Sequence, residues 1–587
     1  MKNILFTIFI LLNSSSFVTA QNNNGSLKPE KIYLHTDRDT YIAGEFLFYT
    51  LYLQGNPGQM SKYAYLAIRN KSNSYVANIR LEINNQVAFG TIFLSDTLNS
   101  DVYQVVCYTN CMRNYSEDSY FKKEIVITNR FDKNLNLFSD SLNTPETGTS
   151  SNRYSGNITG IEKVIIHLDK QVFDQREKIS FSIEPHNISE NSISYLSVSV
   201  SEIVPGTPNE PSISEYFNDN NIWKNKGESE RKKCSYSPEV NGAVLQGRVL
   251  SLSLPGNQTD SVNRDTSNEI KIYTILVSTA DSISNMQYYS TDSLGLFNIH
   301  LNPYYDGKDL FVRIKENVKV TIEPETKFCL IQPFNPSDKL NVPGIKSFML
   351  RSGNIAQIQK FYNEQVKITT KKEFLPGKIV PRIYFSHYST IFPSDFIELP
   401  DFVEISKEIV PALKVRKTGD KFVSGYVNFL GEGSINLEPT IFLDGVPIDD
   451  VNQIINLGSS QIKRIESLPG TRYYGKMSFS GILAVFSKDL LIDKIQFKTP
   501  TIKYQALSSQ SYTKPEPFKP INSRHIPDLR QLLLWEPEII LDNNENQQIE
   551  CFASDLPGKF RINIQGITST GDPVNGSAII TIQSKSK

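Results

Sequence analysis

Apolar and polar residues alternate with a period of two over much of the chain, the pattern of half-buried β-strands. Residues 31–35, 45–53, 63–68, 90–94, 102–108 and 124–127 carry it, and aromatic side chains are enriched among them. Turn-forming residues separate these runs, and short strands at such spacing predict a β-sandwich. Further runs fall at 243–249, 291–299 (strand, turn, strand), 310–314, 560–564 and 578–582. Helical spacing falls at 354–365, where Ile355, Ile358, Phe361 and Tyr362 recur, and near 401–409, and the stretch 435–488 reads as strand, Asp-Gly turn, helix, strand, glycine turn, strand. The pattern predicts a mainly β, multi-domain fold with a small α+β unit.

Segments of different texture set the expected boundaries. Lys2, an apolar run over 4–12 and the small residues Val18-Thr19-Ala20 read as a signal peptide, residues 1–20, cleaved before Gln21. That run is too short to span a bilayer, and no second long apolar stretch follows, so the mature chain is expected to have no transmembrane segment. No cysteine lies near the cleavage site, which excludes a lipid anchor there. A first β-sandwich is expected over 28–132 and a Ser/Asn/Thr/Gly linker over 133–160. A second, degenerate β domain follows over 161–240, then a third sandwich over 241–325. A connecting region with a short helix (326–400), an α+β unit (401–490) and a C-terminal β domain (515–587) complete the plan. The expected location is the periplasm or the outer membrane, with the cell surface open.

Composition narrows function. Of 587 residues, 61 are Lys or Arg and 62 are Asp or Glu, so the basic excess of a nucleic-acid binder is absent. Cys107, Cys111, Cys234, Cys329 and Cys551 are too few and too scattered for a disulfide framework. Cys107 and Cys111 are close enough in sequence to pair, but free, partly buried thiols fit the pattern better.

One motif occurs twice. His35, Asp37, Tyr41 and Glu45 return as His167, Asp169, Phe173 and Glu177, each 132 residues on. Two copies of one domain type explain the constant offset. The His–Asp pairs have the chemistry of an acid–base or metal site, but recurrence in two domains favours structure, with Asp capping a turn and His packing beside it. Metal helices, nucleophile elbows and phosphate loops are absent from the sequence, so no catalytic residue, cofactor or metal is expected. Trp535 is expected to anchor the last β domain.

The repeated motif, with Gly44-Glu45, Tyr108-Thr109-Asn110 and Met112-Arg113-Asn114, resembles the second macroglobulin-type domain of alpha-macroglobulins, as found in exported Bacteroidota proteins. Asp174-Gln175-Arg176-Glu177 lacks the glycine of the first copy. Gly247-Arg248-Val249 and Ser293-Leu294-Gly295-Leu296-Phe297 resemble carboxypeptidase-regulatory-like sandwiches. Phe442-Leu443-Asp444-Gly445-Val446-Pro447-Ile448, Gln461-Ile462-Lys463-Arg464-Ile465-Glu466, Tyr474-Gly475 and Gly481-Ile482-Leu483-Ala484-Val485 are similar to the plug domain of SusC-type TonB-dependent receptors. About 100 residues follow Lys488, too few for the barrel of such a receptor. These resemblances imply an envelope protein whose plug-like unit, at Asp444, Gly445, Tyr474 and Gly475, contacts a protein partner such as an outer-membrane barrel or export complex. The expected function is therefore non-enzymatic docking or scaffolding. A macroglobulin-like peptidase inhibitor and a glycan- or ligand-binding module are the alternatives.

Overall fold

The structure, a computed structural model, describes residues 29–129, 131–132, 163–186, 192–205, 210–219, 236–251, 272–328, 330, 332–336, 343–361, 379–385, 388–427, 438–507, 526–542 and 546–584. The signal peptide and linker expected at 1–20 and 133–160 lie outside these residues.

The first sandwich comprises β1 (Lys31–Thr36), β2 (Thr40–Ile42), β3 (Phe46–Gln54), β4 (Tyr63–Arg69), β5 (Tyr75–Glu82), β6 (Val87–Phe93), β7 (Asp101–Tyr108) and β8 (Phe121–Thr128). One sheet has the order β1-β3-β6 and the other β2-β8-β7-β4-β5. The next strands are β9 (Val164–Leu168), β10 (Val172–Asp174), β11 (Lys178–Pro185) and β12 (Ile193–Glu202), followed by helix α1 (Ile213–Asn218). A third group contains β13 (Val244–Ser251), β14 (Thr274–Thr279), β15 (Gln287–Ser290), β16 (Leu296–His300), β17 (Asp309–Ile314) and β18 (Val320–Pro324). Helix α2 (Pro343–Phe361) leads to β19 (Ser389–Ile391), α3 (Phe402–Glu408), β20 (Leu413–Thr418), β21 (Lys421–Tyr426), β22 (Thr440–Leu443), β23 (Val446–Pro447), β24 (Ile462–Tyr474) and β25 (Met477–Ser487). The chain ends with β26 (Thr501–Gln505), β27 (Leu532–Asp542), β28 (Gln547–Phe552), β29 (Gly558–Thr568) and β30 (Pro573–Gln583).

The second sandwich is split along the sequence. Its sheets run β28-β11-β9 and β10-β30-β29-β12-β27, matching the two sheets of the first sandwich strand for strand. Even the short parallel pairing recurs: Thr40 pairs with Val126 in the first copy, and Val172 with Thr581 in the second. The segment expected as an independent C-terminal domain, 515–587, thus completes the domain expected at 161–240. In the first copy β4 and β5 are joined by the turn at 70–74; in the second, β12 and β27 are joined through residues 203–531.

That insertion holds a further nesting. The third sandwich packs the sheet β16-β13-β18 on β15-β14-β17-β26, and β26 is contributed after the α+β unit. Inside it lies the α+β unit, with the sheet β19-β24-β25-β22-β23, the hairpin β20-β21 and α3. The sequence reading places a helix between β23 and β24. The chain there forms two single 3₁₀ turns, Val451–Gln453 and Ser459–Gln461, with the backbone N–H groups of Gln453, Ile454 and Leu457 each bonding the third residue back, not the fourth as an α-helix requires.

Burial explains which strands depart from alternation. Seven successive residues of β3, Leu47–Leu53, are buried. The sheet face that would meet water in an isolated sandwich is covered by the second copy, where Thr50 donates to the Pro537 carbonyl at 2.9 Å. All of β4 is buried as well, with Tyr65 donating to Glu239 and packing edge-on to Phe328.

Candidate functional site

The two copies of the repeated motif share one turn. Glu45 accepts the Ile42 N–H at 3.0 Å and pairs with Arg38 at 2.9 Å. Glu177 accepts the Asp174 N–H at 2.8 Å and pairs with Lys170 at 2.5 Å. Gly44 takes φ +96°, and Arg176, at the equivalent position, takes φ +61°. A non-glycine residue in this left-handed region is held by partners: the Arg176 guanidinium forks onto Asp555 at 2.8 and 2.6 Å and reaches the Ile526 carbonyl at 2.6 Å. Both anchors come from the C-terminal segment, so the missing glycine and the split domain are linked.

The histidines and aspartates diverge. Asp37 is buried, accepting the Phe48 N–H at 2.9 Å and the Tyr41 hydroxyl at 2.8 Å. Burial raises its carboxyl to about 6, against the opposing Arg38 charge and these hydrogen bonds. His35 faces the other sandwich: its Nδ1 lies 2.6 Å from Ser197 Oγ, and Asn563 Nδ2 donates to its Nε2 at 3.1 Å. Tyr52 donates to the same Ser197 at 2.7 Å, and Trp535 lies against the His35 ring at 5.2 Å between centroids. Burial, with the Lys123 charge adding to it, lowers His35 to about 3, so the ring is neutral. His167 and Asp169 in the second copy are exposed, and His167 lies 2.5 Å from the half-buried Glu184. Phe173 is buried. Trp535 therefore fastens the last strands to the first sandwich, while Leu534, beside Val200 on the other face of β27, packs into the core of the second.

The plug-like motif is used within the chain. Asp444 (φ +47°) and Gly445 (φ +87°) form the β22–β23 turn, the left-handed pair a tight hairpin needs. Asp444 is buried and accepts from the Ser487 N–H at 2.6 Å, the Ser487 hydroxyl at 2.8 Å and the Ile492 N–H at 3.2 Å. Its carbonyl accepts the Asp281 N–H of the third sandwich at 2.8 Å, and the Gly445 carbonyl that of Asn285 at 3.2 Å. A Cβ on Gly445 would meet the Ile283 carbonyl at 2.7 Å, so glycine is required by close approach as well as by φ. Tyr474, half-buried, donates to the Met286 carbonyl at 2.7 Å, and exposed Gly475 lies over the Tyr288 hydroxyl. All four expected partner-contact residues thus meet one stretch, 281–288, of this same chain. As a surface for a separate partner, Asp444 and Gly445 are corrected: they are sealed in an internal seam.

Two features at the α+β unit were not read from sequence. A cavity of about 150 Å³ opens along that seam, lined by Ser282, Ser284, Arg382, Tyr384, Arg464 and Glu466 among others. Glu466 accepts from Tyr384 at 2.5 Å and from Arg464 at 2.9 Å, and Arg464 also donates to the Ser282 carbonyl. The second is an open groove of about 570 Å³ lined by Asp395, Phe396, Ile397, Leu399, Glu408 and Ile409. The signal for it was an aperiodic apolar run between Pro393 and Pro400, which fits neither a core strand nor a core helix.

Among the described residues no group of three His, Cys, Asp or Glu side chains is placed to hold a metal ion, and no helix is long and apolar enough to cross a membrane. Cys107 and Cys551 are buried free thiols, so Cys107 is not paired with Cys111, and burial pushes Cys551 up to about 12.

A scan against family models found no match, and a search of curated proteins found none. Among solved structures, Salmonella alpha-2-macroglobulin reacted with methylamine is similar at 9% identity and a TM-score of 0.23, over 95% of this chain and 40% of that one. Escherichia coli alpha-2-macroglobulin activated by porcine elastase is similar at 6% identity and a TM-score of 0.23, over 94% and 44%. The CARDB domain of a Pyrococcus furiosus protein matches 17% of this chain at 7% identity and a TM-score of 0.14. The chain spans about two fifths of the length of these macroglobulins. Its mainly β, multi-domain sandwich architecture is read from its own strand pairing.

Proposed function

We propose that this chain is a non-enzymatic binding and scaffolding protein of the bacterial envelope, an outer-membrane-associated accessory that docks to a partner protein. One observation carries the reading: the residues with the chemistry of a site are spent on joining domains, while apolar side chains stay exposed on the α+β unit. His35 joins the two macroglobulin-like sandwiches, and Asp444 and Gly445 join the α+β unit to the third sandwich. The resemblance of the third sandwich to carboxypeptidase-regulatory-like domains, and of the α+β unit to receptor plugs, supports an envelope setting. Rigid inter-domain seams suit a scaffold, whose task is to hold a docking surface at a fixed place.

The test is to tag the C-terminus, crosslink intact cells and identify what co-purifies from the outer-membrane fraction. Recovery of one barrel or export protein in stable ratio is expected. A monomer recovered alone from every extract overturns the reading, and in that case slowed proteolysis by general proteases would favour the inhibitor alternative.

A further inference from the structure

The groove on the α+β unit has the properties of a preformed peptide dock. Phe392, Phe396 and Ile397 are 45%, 51% and 80% exposed on one short loop, more apolar surface than a solvated loop needs. The loop is pinned rather than loose. Asp395 and Phe396 close turns onto Phe392 and Pro393, Leu399 and Ser459 exchange hydrogen bonds of 2.9 Å, and Phe402 donates to the Ile455 carbonyl at 3.0 Å. Gly458 packs against the same loop, where a Cβ would meet the Pro400 carbonyl at 3.0 Å. A surface held this way loses little entropy when it binds.

Charge selects the occupant. Between residues 392 and 409 there are five acidic residues, Asp395, Glu398, Asp401, Glu404 and Glu408, against one basic residue, Lys407. Asp401 caps α3 and Lys407 sits 3.3 Å from Glu404, leaving the groove lined by two acidic residues, Asp395 and Glu408, with exposed Glu398 beside them in the loop. An acidic rim repels the anionic lipid surface that exposed Phe and Ile would otherwise favour, and it attracts Lys and Arg.

We infer that this groove docks a segment of another protein in which two or three apolar side chains are flanked by Lys or Arg. The inference rests on the docking function proposed above and names the chemistry of the partner. The central apolar side chains supply affinity, and the basic flanks supply register and association rate.

A display library of random dodecapeptides, panned on the full chain and counter-selected on the Phe396→Ser/Ile397→Ser variant, tests it. Both side chains are exposed, so an unchanged thermal melt is expected to show that the variant folds. The expected outcome is enrichment of apolar peptides with basic flanks, bound at least about tenfold more weakly by the variant and by a Glu398→Lys/Glu408→Lys variant. Enrichment of acidic or neutral peptides, equal binding by the variants, self-association through the groove, or binding to phosphatidylglycerol vesicles instead would each overturn it. The failures separate: a cellular partner that still crosslinks to the Phe396→Ser/Ile397→Ser variant keeps the docking function and removes this groove from it. No cellular partner for the unaltered chain removes the docking function itself.

Discussion

The first and second sandwiches are built to one plan and do different work. Both have a three-stranded sheet on a five-stranded sheet in the same order, and both close the first hairpin with a glutamate on the N–H three residues back. In the first copy the His and Asp of the motif are buried, and His35 forms the seam to the second. In the second they are exposed, and the β12–β27 connection carries the rest of the protein. What recurs is the turn, with its left-handed residue and its glutamate on the N–H three residues back, so the turn is the structural requirement of the domain. What differs is the environment of the histidine, so its chemistry belongs to the seam and not to the domain type.

The comparison breaks most decisively if the second copy does not depend on its distant half. A chain ending at residue 525 loses β27–β30, four of the eight strands of that sandwich. The outcome expected is complete loss of its cooperative unfolding transition in denaturant, with exchange of the β9–β12 amides at unprotected rates. An independent C-terminal domain would instead leave those amides protected.

Next in size is the contrast between the histidines. His35→Ala takes the ring from Ser197, which keeps the Tyr52 hydroxyl, and from the Asn563 amide N–H, and is expected to cost about 2–3 kcal/mol. His167→Ala removes an exposed contact to Glu184 and is expected to cost less than about 0.5 kcal/mol. Urea midpoints of the two variants check both; equal losses would mean that the seam contributes nothing special.

The turn position sharpens the comparison further. Gly44→Ala forces a Cβ into φ +96° and is expected to cost about 1–2 kcal/mol. Arg176→Gly relieves a similar strain but gives up the Asp555 fork, so the two effects nearly offset and the net change is expected within about 0.5 kcal/mol. The same melts decide it, and a large loss in Arg176→Gly would show that the fork outweighs backbone strain.

Strands and turns were legible because they are local: period-two runs and Asp444-Gly445 state their geometry within a few residues. Sheet partners were not legible, because β12 pairs with β27 across more than 300 residues and no local pattern encodes that registry. The strongest available hint was arithmetic: the second motif is followed by four strands before β13, where the first is followed by a full set of eight. The candidate site was legible only in part. The residues singled out are structurally important, but a sequence cannot say that the surface facing Asp444 belongs to the same chain. The exposed Phe396 and Ile397 escaped because a pattern search looks for apolar residues with a period, and a docking loop has none.

The smallest effect concerns pH, and it separates His35 from Asp37. His35 is lowered to about 3 from an ordinary 6.5, so between these values the unfolded chain holds the extra proton. Its contribution to stability is complete above pH 6.5 and is lost as pH falls toward 3. Asp37 is raised to about 6 from 3.8, so there the folded chain holds the extra proton. Its contribution is complete below pH 3.8 and is lost as pH rises through 6. From about pH 4 to 6 the two slopes oppose, each on the order of 1 kcal/mol per pH unit, and together they leave the intact protein nearly flat with respect to this pair. Separate substitutions uncover them. The penalty of His35→Gln should shrink as pH falls from 5.5 to 4.5, and that of Asp37→Asn should shrink as pH rises over the same interval, by about 1 kcal/mol each. Urea unfolding at the two pH values reads the difference directly. Penalties that change with the same sign would mean that burial does not disfavour the charged form of both groups, and the buried first copy would then differ from the exposed second one in packing alone.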